Sequence, residues 1–481
     1  MFVILVCFFI CLLYFLRGRE KTPPVVPNLL RLAWTIGTSS LADLFKEIVK
    51  LGEHTSRLGG VTKIDVKFLS VYFITSPEDV ATVLYQSAEK SFFYDLIKPY
   101  VGDQLVTANV PVFKRNRPIM DLALKMDVIQ QFLPTFNRYA AKLVEDLGEK
   151  VGMECDLTDI ITRNILEMVA QATMGHSTTD LITDDYAAAV DRELEVLVNR
   201  VRRPWLFFDL FFNFSEEKRQ QDRALEVIWG LSDRMIKLRK EEHYKRLKNQ
   251  HVEKAEFHSF LDVVIQNTVT SYSEIYTDIE LRNLVDNMML AAFDTTATAI
   301  GYLMMCVGSD SRVQEKVYEE INRVIVPKGR AVTQEDLPQL VYLEAVIKET
   351  LRLYPIGPIM ARRASKNMKL ENYTIPAGAQ LVVHIWSVNR NKQLWGADAD
   401  EFIPERWLDP TRIPSSPVAF GTFAPGRRYC IGKTYAMHMM KIVSSHILQT
   451  YRVTADISKL ELEFVVLLKP VAGRNMTIER R

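Results

Sequence analysis

A cysteine in a glycine-bearing loop, placed directly ahead of a helix, constrains this chain more than any other feature. The stretch reads Phe423, Ala424, Pro425, Gly426, Arg427, Arg428, Tyr429, Cys430, Ile431, Gly432. A helix is expected from Ile431 through Met440. Its first turn offers free N–H groups and the positive end of the helix dipole, which stabilise a thiolate. Gly426 and Gly432 let backbone come close to a flat ligand. Arg428 supplies a cation two residues before the sulfur, placed for an anionic group on that ligand. A buried cysteine alone is ordinary packing. The spacing F-x-x-G-x-R-x-C-x-G, with every fixed position filled, is far more specific.

Two other helices carry polar groups in apolar settings. Glu349 and Arg352 share one face of a helix that includes Leu340, Leu343 and Ile347 and ends before Pro355. Taken alone, the pair reads equally as a surface salt bridge. Upstream, Thr277 and Glu280 form a capping box for a long buried helix through Leu281, Leu284, Val285, Met288 and Met289. That helix then presents Asp294, Thr295 and Thr296. A threonine hydroxyl here can bond the carbonyl one turn back and open the helix locally. A satisfied polar notch is the alternative.

Together these segments resemble the cytochromes P-450, and the resemblance covers nearly the whole chain. It implies a mainly α fold with small β-sheets, a triangular helical prism with haem buried between the long central helix and the helix after the cysteine. It implies haem b, held non-covalently apart from the bond between the Cys430 thiolate and iron. Phe423, Gly426, Arg428 and Gly432 would shape the haem loop, and Arg117 and Arg362 would join Arg428 against the propionates. Arginine can meet a carboxylate with two parallel bonds, so the cluster has physical sense. Glu349, Arg352 and Arg406 would form a structural triad behind the loop. Asp294 and Thr295 would relay protons to bound oxygen. A thiolate ligand pushes electron density onto iron and favours O–O cleavage. Three positions depart from the family pattern. Ala292 stands where glycine is usual, and Phe113 replaces the tryptophan four residues before Arg117. Ala291 replaces a glutamate that can esterify haem, so no covalent haem link is expected.

The segments Tyr94 to Gly102 and Leu284 to Asp286 look closest to the animal microsomal clan that includes fatty-acid ω-hydroxylases, with an insect member in view. The resemblance implies a monooxygenase that inserts one oxygen atom from O2 into a hydrophobic small molecule: a fatty acid, terpenoid, odorant or xenobiotic. Electrons would come from NADPH through a flavin reductase, NADPH-cytochrome P-450 reductase, with cytochrome b5 as a further candidate donor. Lys114, Arg115, Arg427 and Lys433 are candidate docking contacts. Phe92, Phe93, Met288, Phe293, Ile356, Ile359 and Leu468 are expected around the pocket, where their apolar character favours a hydrophobic substrate.

Composition sets bounds on this reading. The 481 residues include 60 basic and 59 acidic ones, a net charge of +1 that gives no field for nucleic acid. Cys7, Cys11, Cys155, Cys306 and Cys430 show neither disulfide nor zinc spacing. Residues 1–21 read as an N-terminal membrane anchor, apolar from Met1 to Leu16 and followed by Arg17, Arg19 and Lys21. Residues 22–481 read as the catalytic domain, on the cytosolic face of the endoplasmic reticulum membrane. Pro23, Pro24 and Pro27 would make a stiff spacer. Pro204 to Phe214 is rich in aromatics and reads either as core or as an apolar roof dipping into the membrane. The stretch from Met235 to Lys248 reads as a solvated helix face, Met368 to Trp386 as a β-rich patch turning at Pro376 to Gly378, and Phe464 to Ile478 as a hairpin. Two rivals to the monooxygenase are a haem-thiolate enzyme that rearranges peroxides without external electrons, and a non-enzymatic haem or lipid binder.

Overall fold

Local capping fixes where the main helices begin. Ser76 accepts from the Asp79 N–H, with Pro77 in the first turn, and starts the helix Pro77–Gln86. The Thr277 hydroxyl accepts from the Glu280 N–H at 3.2 Å while Glu280 accepts from the Thr277 N–H at 2.9 Å, the expected capping box. The structure, a computed structural model, describes residues 22–26, 37–66, 69–175, 184–248, 258–269 and 275–481. The anchor expected at 1–21 lies outside the described residues. Pro24 to Val26 do not form a free spacer. The Val26 N–H donates to the Lys63 carbonyl and the Lys63 N–H to the Pro24 carbonyl, both at 2.9 Å, so the segment is docked along a strand.

Helices of nine residues or more are numbered in chain order: α1 (Leu41–Arg57), α2 (Pro77–Gln86), α3 (Val110–Ala123), α4 (Met126–Gly148), α5 (Thr158–Met174), α6 (Asp184–Arg202), α7 (Glu216–Lys248), α8 (Phe260–Thr268), α9 (Asp278–Ser309), α10 (Ser311–Val324), α11 (Val341–Leu353) and α12 (Lys433–Thr450). The strands are β1 (Val61–Val66), β2 (Leu69–Ile74), β3 (Cys155–Asp156), β4 (Met360–Arg363), β5 (Met368–Lys369), β6 (Thr374–Ile375), β7 (Gln380–Val383), β8 (Tyr451–Ala455), β9 (Glu461–Val465), β10 (Leu467–Ala472) and β11 (Asn475–Arg480). This is the expected fold class, mainly helical with small sheets. One sheet runs β1-β2-β7-β4, with β2 and β7 parallel. The β-rich patch turns at Pro376 to Gly378 as expected, where Gly378 adopts φ +86°.

The expected C-terminal hairpin needs correction. β9 and β10 pair about Val466, but β11 leaves them to join β8 and β3. The partner strand β8 directly follows α12 and lies outside the stretch read as a hairpin. On α7, Met235, Ile236 and Arg239 are buried, so the charged stretch is solvated on its other positions.

The long helix α9 explains why the centre of the molecule is apolar. It packs against α5, α7, α11, α12 and β8. Leu281, Val285, Met289, Ile300, Leu303 and Val307 are all buried. Its length and hydropathy would suffice to cross a membrane, yet it lies inside the protein. α12 follows the cysteine loop and packs on both α4 and α9, which brings the loop to the side of the central helix.

Candidate active site

The cysteine loop is a series of tight turns. The Cys430 N–H donates to the Phe423 carbonyl at 2.9 Å, and Ala424 takes a left-handed conformation at φ +51°. Gly426 sits at φ +104°, and a Cβ there would lie 2.3 Å from the Leu84 carbonyl oxygen. A glycine is therefore required here by close approach to the end of α2. α12 begins at Lys433 with Gly432 as its cap, two residues later than expected, and runs on to Thr450. A Cβ at Gly432 would stand 3.9 Å from the Cys430 sulfur. Burial raises the Cys430 thiol, while the Gly432 N–H, Arg117 and Lys433 pull it down. Cys430 retains accessible surface, although the protein around it is dense enough to raise its thiol.

Four cations converge near this loop. The Arg428 Nε donates to the Ala88 carbonyl at 2.8 Å and its Nη2 to the Ala108 carbonyl at 2.7 Å. Arg117 binds Asp121 at 2.9 Å and the Tyr429 carbonyl at 3.2 Å. Arg362 donates to the Ala361 carbonyl at 2.9 Å. Each keeps one buried nitrogen without a partner among the described residues: Arg117 Nη2, Arg362 Nε and Arg428 Nη1. Lys90 joins them, bridged to Arg362 through the backbone and lying 4.1 Å from the Tyr94 ring centre. Burial, then the Arg362 charge, pushes Arg428 down to about 10; burial and both arginines push Lys90 well below its usual value. Clustered cations with unspent donors suit a ligand bearing two carboxylates. Lys90 was missed in the sequence because no motif carries it. Its neighbour Arg363, paired to Glu89 through the backbone at 3.0 Å, fixes that loop.

Phe113, where an indole would be usual, stacks on Arg428 with the guanidinium 3.8 Å from the ring centre. The lost N–H donor is thus partly replaced by a cation–π contact.

Behind the loop the expected triad is present and fully buried. Arg352 donates to both Glu349 oxygens at 2.8 and 2.9 Å, and Arg406 Nε donates to Glu349 at 2.8 Å. Trp407 and the Ile403 N–H complete the carboxylate, at 2.9 and 3.0 Å. The remaining guanidinium donors go to the carbonyls of Asn389, Ala399, Glu401, Trp395 and Asp398. Asn389 links this lock to the loop. Its amide donates to the Arg352 carbonyl at 3.0 Å, and its oxygen accepts from the Gly421 N–H at 2.9 Å.

On α9, the Thr295 hydroxyl donates to the Ala291 carbonyl at 2.6 Å, the expected back-bond. The local opening does not follow: α9 stays helical through Ala291 to Thr296. Ala291 is exposed and Thr295 half-buried within an otherwise buried helix, so this face borders interior space. Asp294 points elsewhere. It is buried, and its Oδ2 lies 3.0 Å from Lys469 Nζ. Burial raises its pKa, and Lys469 counters part of the rise. Of the expected pocket residues, Met288, Phe293, Ile356 and Leu468 are buried, whereas Phe92, Phe93 and Ile359 keep accessible surface.

A family model described as Cytochrome P450 matches residues 23–472. The chain belongs to that family. Cytochrome P450 4V2 of Mus musculus is 27% identical over 457 residues, covering 92% of this chain and 86% of the mouse protein. Cytochrome P450 4c21 of Blattella germanica is 28% identical over 420 residues, 85% of this chain and 83% of its own. Cytochrome P450 4g15 of Drosophila melanogaster is 25% identical over 545 residues, 98% and 93% respectively. Mammalian and insect relatives of one P450 group agree with the expected animal clan. P450 enzymes are monooxygenases that bind haem iron through a cysteine thiolate. The residues here fit that cofactor: an accessible free cysteine in the loop, and unpartnered buried guanidinium nitrogens for two propionates.

Proposed function

We propose that this P450 oxidises a hydrophobic small molecule with electrons from NADPH through a membrane-bound flavin reductase, with Cys430 as the iron ligand. The observation that carries the reading is the arrangement of Cys430 with the unspent donors of Arg117, Arg362 and Arg428. Haem supplies the oxygen-activating chemistry when bound; the protein sets ligand, proton supply and pocket. Arg117, Arg362 and Arg428, with Lys90 beside them, would neutralise the propionates. Glu349, Arg352, Arg406 and Asn389 hold the loop so that the Cys430 sulfur cannot retreat. Thr295 would offer its hydroxyl oxygen to bound oxygen from α9, with Asp294 as a buried carboxylate one residue away. Phe92, Phe93, Ile359 and Ala291 exclude water from the reacting carbon.

The docking face for the reductase lies beside the loop, where Lys114, Arg427 and Lys433 are exposed. Arg115 is exposed as well, with its guanidinium bonded to Glu280 at 2.8 Å and to the Ile275 carbonyl. A cleft of about 350 Å³ next to Phe423 includes Lys348 and Lys433 and adds cationic surface there. Residues 1–21 would hold the chain on the endoplasmic reticulum membrane with the catalytic domain in the cytosol. Trp205, Phe208, Leu210, Phe211 and Phe214 are all exposed, which removes core packing as their explanation and supports contact with lipid.

The test is the carbon monoxide difference spectrum of the reduced protein. A strongly red-shifted Soret band, lost in Cys430→Ala, is expected. An unshifted band in the wild type would remove the thiolate assignment. Product from dodecanoic acid that requires reductase and NADPH would support the electron source; product formed equally from a peroxide alone, with none from NADPH, would remove it.

A further inference from the structure

Lys469 on β10 occupies a position that neither the haem loop nor the buried triad accounts for. Its ammonium donates to Asp191 Oδ1 at 2.9 Å and lies 3.0 Å from Asp294 Oδ2. The Asp191 side chain is 61% exposed, that of Lys469 is 19% exposed and that of Asp294 is 7% exposed. One cation therefore spans the step from solvent-facing carboxylate on α6 to buried carboxylate on α9. The contact with Asp294 is close enough for an ion pair, yet that Oδ2 has no aligned hydrogen bond. The ammonium thus touches both acids at once, with its aligned hydrogen bond to Asp191 and an ion pair of nearly equal length to Asp294. Glu463 stands opposite Lys469 in the β9–β10 register, and Asp191, Glu195 and Arg474 complete the surroundings. Arg474 is occupied by Asp156 at 2.6 Å.

We infer that Lys469 is a positioning residue that gates proton entry to Asp294 from the β9–β10 side, by exchanging its ammonium between Asp294 and Asp191. The inference rests on the proposed role of Asp294 and Thr295 in proton supply. With Lys469 against Asp294, the carboxylate is held as the anion. With Lys469 withdrawn to Asp191, Asp294 takes a proton from water entering beside the hairpin. An O–H bond breaks in water as one forms on the carboxyl, hydroxide returns to bulk buffer, and no electrons move. Two features of the hairpin suit this exchange. β10 has an irregular register between Pro470 and Ala472, and Val466 turns at a positive φ of 65°.

Difference infrared spectroscopy of the haem-loaded full chain reads the protonated-carboxyl band of Asp294, assigned by its loss in Asp294→Asn. Removing an opposite charge at this range raises a carboxyl by about one to three pH units, so Lys469→Met should move the titration midpoint up by that amount. Asp191→Asn should move it down, because Lys469 then serves Asp294 alone. Lys469→Arg should restore the wild-type midpoint. Opposite shifts show that both charges act on Asp294. A solvent isotope effect on product formation that differs between Lys469→Met and wild type shows that proton entry passes Lys469, and equal isotope effects would overturn the gate. An unchanged midpoint in Lys469→Met, or shifts of the same sign, would overturn the inference. Separately, Thr295→Ala tests the underlying relay. If it leaves the ratio of peroxide released to NADPH oxidised unchanged, the relay reading fails, whatever the infrared result.

Discussion

The Arg428 guanidinium lies 3.8 Å from the centre of the Phe113 ring, an aromatic face behind a cation that keeps its Nη1 without a partner among the described residues. Such a contact contributes about 0.5–2 kcal/mol, more when water is excluded. Phe113→Ala should therefore release Arg428 and speed haem transfer to apomyoglobin by about tenfold, the equivalent of ~1.4 kcal/mol. Phe113→Trp, which keeps the face and adds an N–H donor, should slow the transfer or leave it unchanged. Equal rates in wild type and Phe113→Ala would show that the stack does not hold Arg428 in place.

The triad and its relay residue should behave differently on mutation. Glu349 satisfies two guanidinium groups, an indole and a backbone N–H with no exposed surface. Glu349→Gln leaves two buried cations short of their anion, a loss of about 3–5 kcal/mol. Little folded, haem-retaining protein is expected. Asn389→Ala breaks neutral hydrogen bonds to the Arg352 carbonyl and the Gly421 N–H, a cost of about 1–3 kcal/mol. That variant should fold, but with a lower thermal midpoint and a growing fraction of unshifted Soret band as the loop loosens. A fully red-shifted spectrum in Asn389→Ala would mean that the lock and the loop are not coupled through this residue.

How much of this was legible in the sequence depended on how locally each feature is encoded. Ser76 and Thr277 cap helices through residues three positions away, so their roles could be read from spacing. Cys430 and the Glu349–Arg352 pair are likewise local. Asn389, Lys90 and Lys469 act across the fold: Asn389 meets a carbonyl 37 residues away, and Lys469 meets Asp191 from a distant strand. No periodicity or spacing encodes such contacts. Gly426 shows the opposite failure. Its presence was legible, but its reason, the Leu84 carbonyl at the end of α2, required the tertiary arrangement.

Glu193 supplies a pH dependence far from the cysteine loop. It lies fully buried on α6, and burial raises its carboxyl to about 8, eased by a 2.9 Å bond from Gln221 and by Arg200. Its ordinary value is 4.5. Between those values the folded state holds a proton that the unfolded state has released. Stability from this group is complete below the lower value and declines as pH rises through the window, by up to about 1.4 kcal/mol per pH unit. Glu193→Gln keeps the bond to Gln221 and abolishes the titration. Thermal melts from about pH 5 to about pH 8 should show the variant gaining on the wild type as pH rises. Parallel curves would mean that Glu193 is charged in the folded protein.

The aromatic patch on the segment between α6 and α7 should report on the membrane. Trp205 is 57% exposed and Phe214 81%, while Leu206 and Phe212 beside them are buried and hold the segment down. Arg200 lies 3.7 Å from the Phe212 ring centre and adds to that hold. Leaving large apolar side chains in water forgoes about 1.5–3 kcal/mol each, which lipid contact would recover. In full-length protein reconstituted into vesicles, lipids brominated near the headgroup should quench part of the tryptophan fluorescence. Trp205→Phe should remove most of that quenched fraction without altering the circular dichroism. Equal quenching in both proteins would mean that Trp205 does not reach the bilayer, and the patch would then call for a protein partner instead.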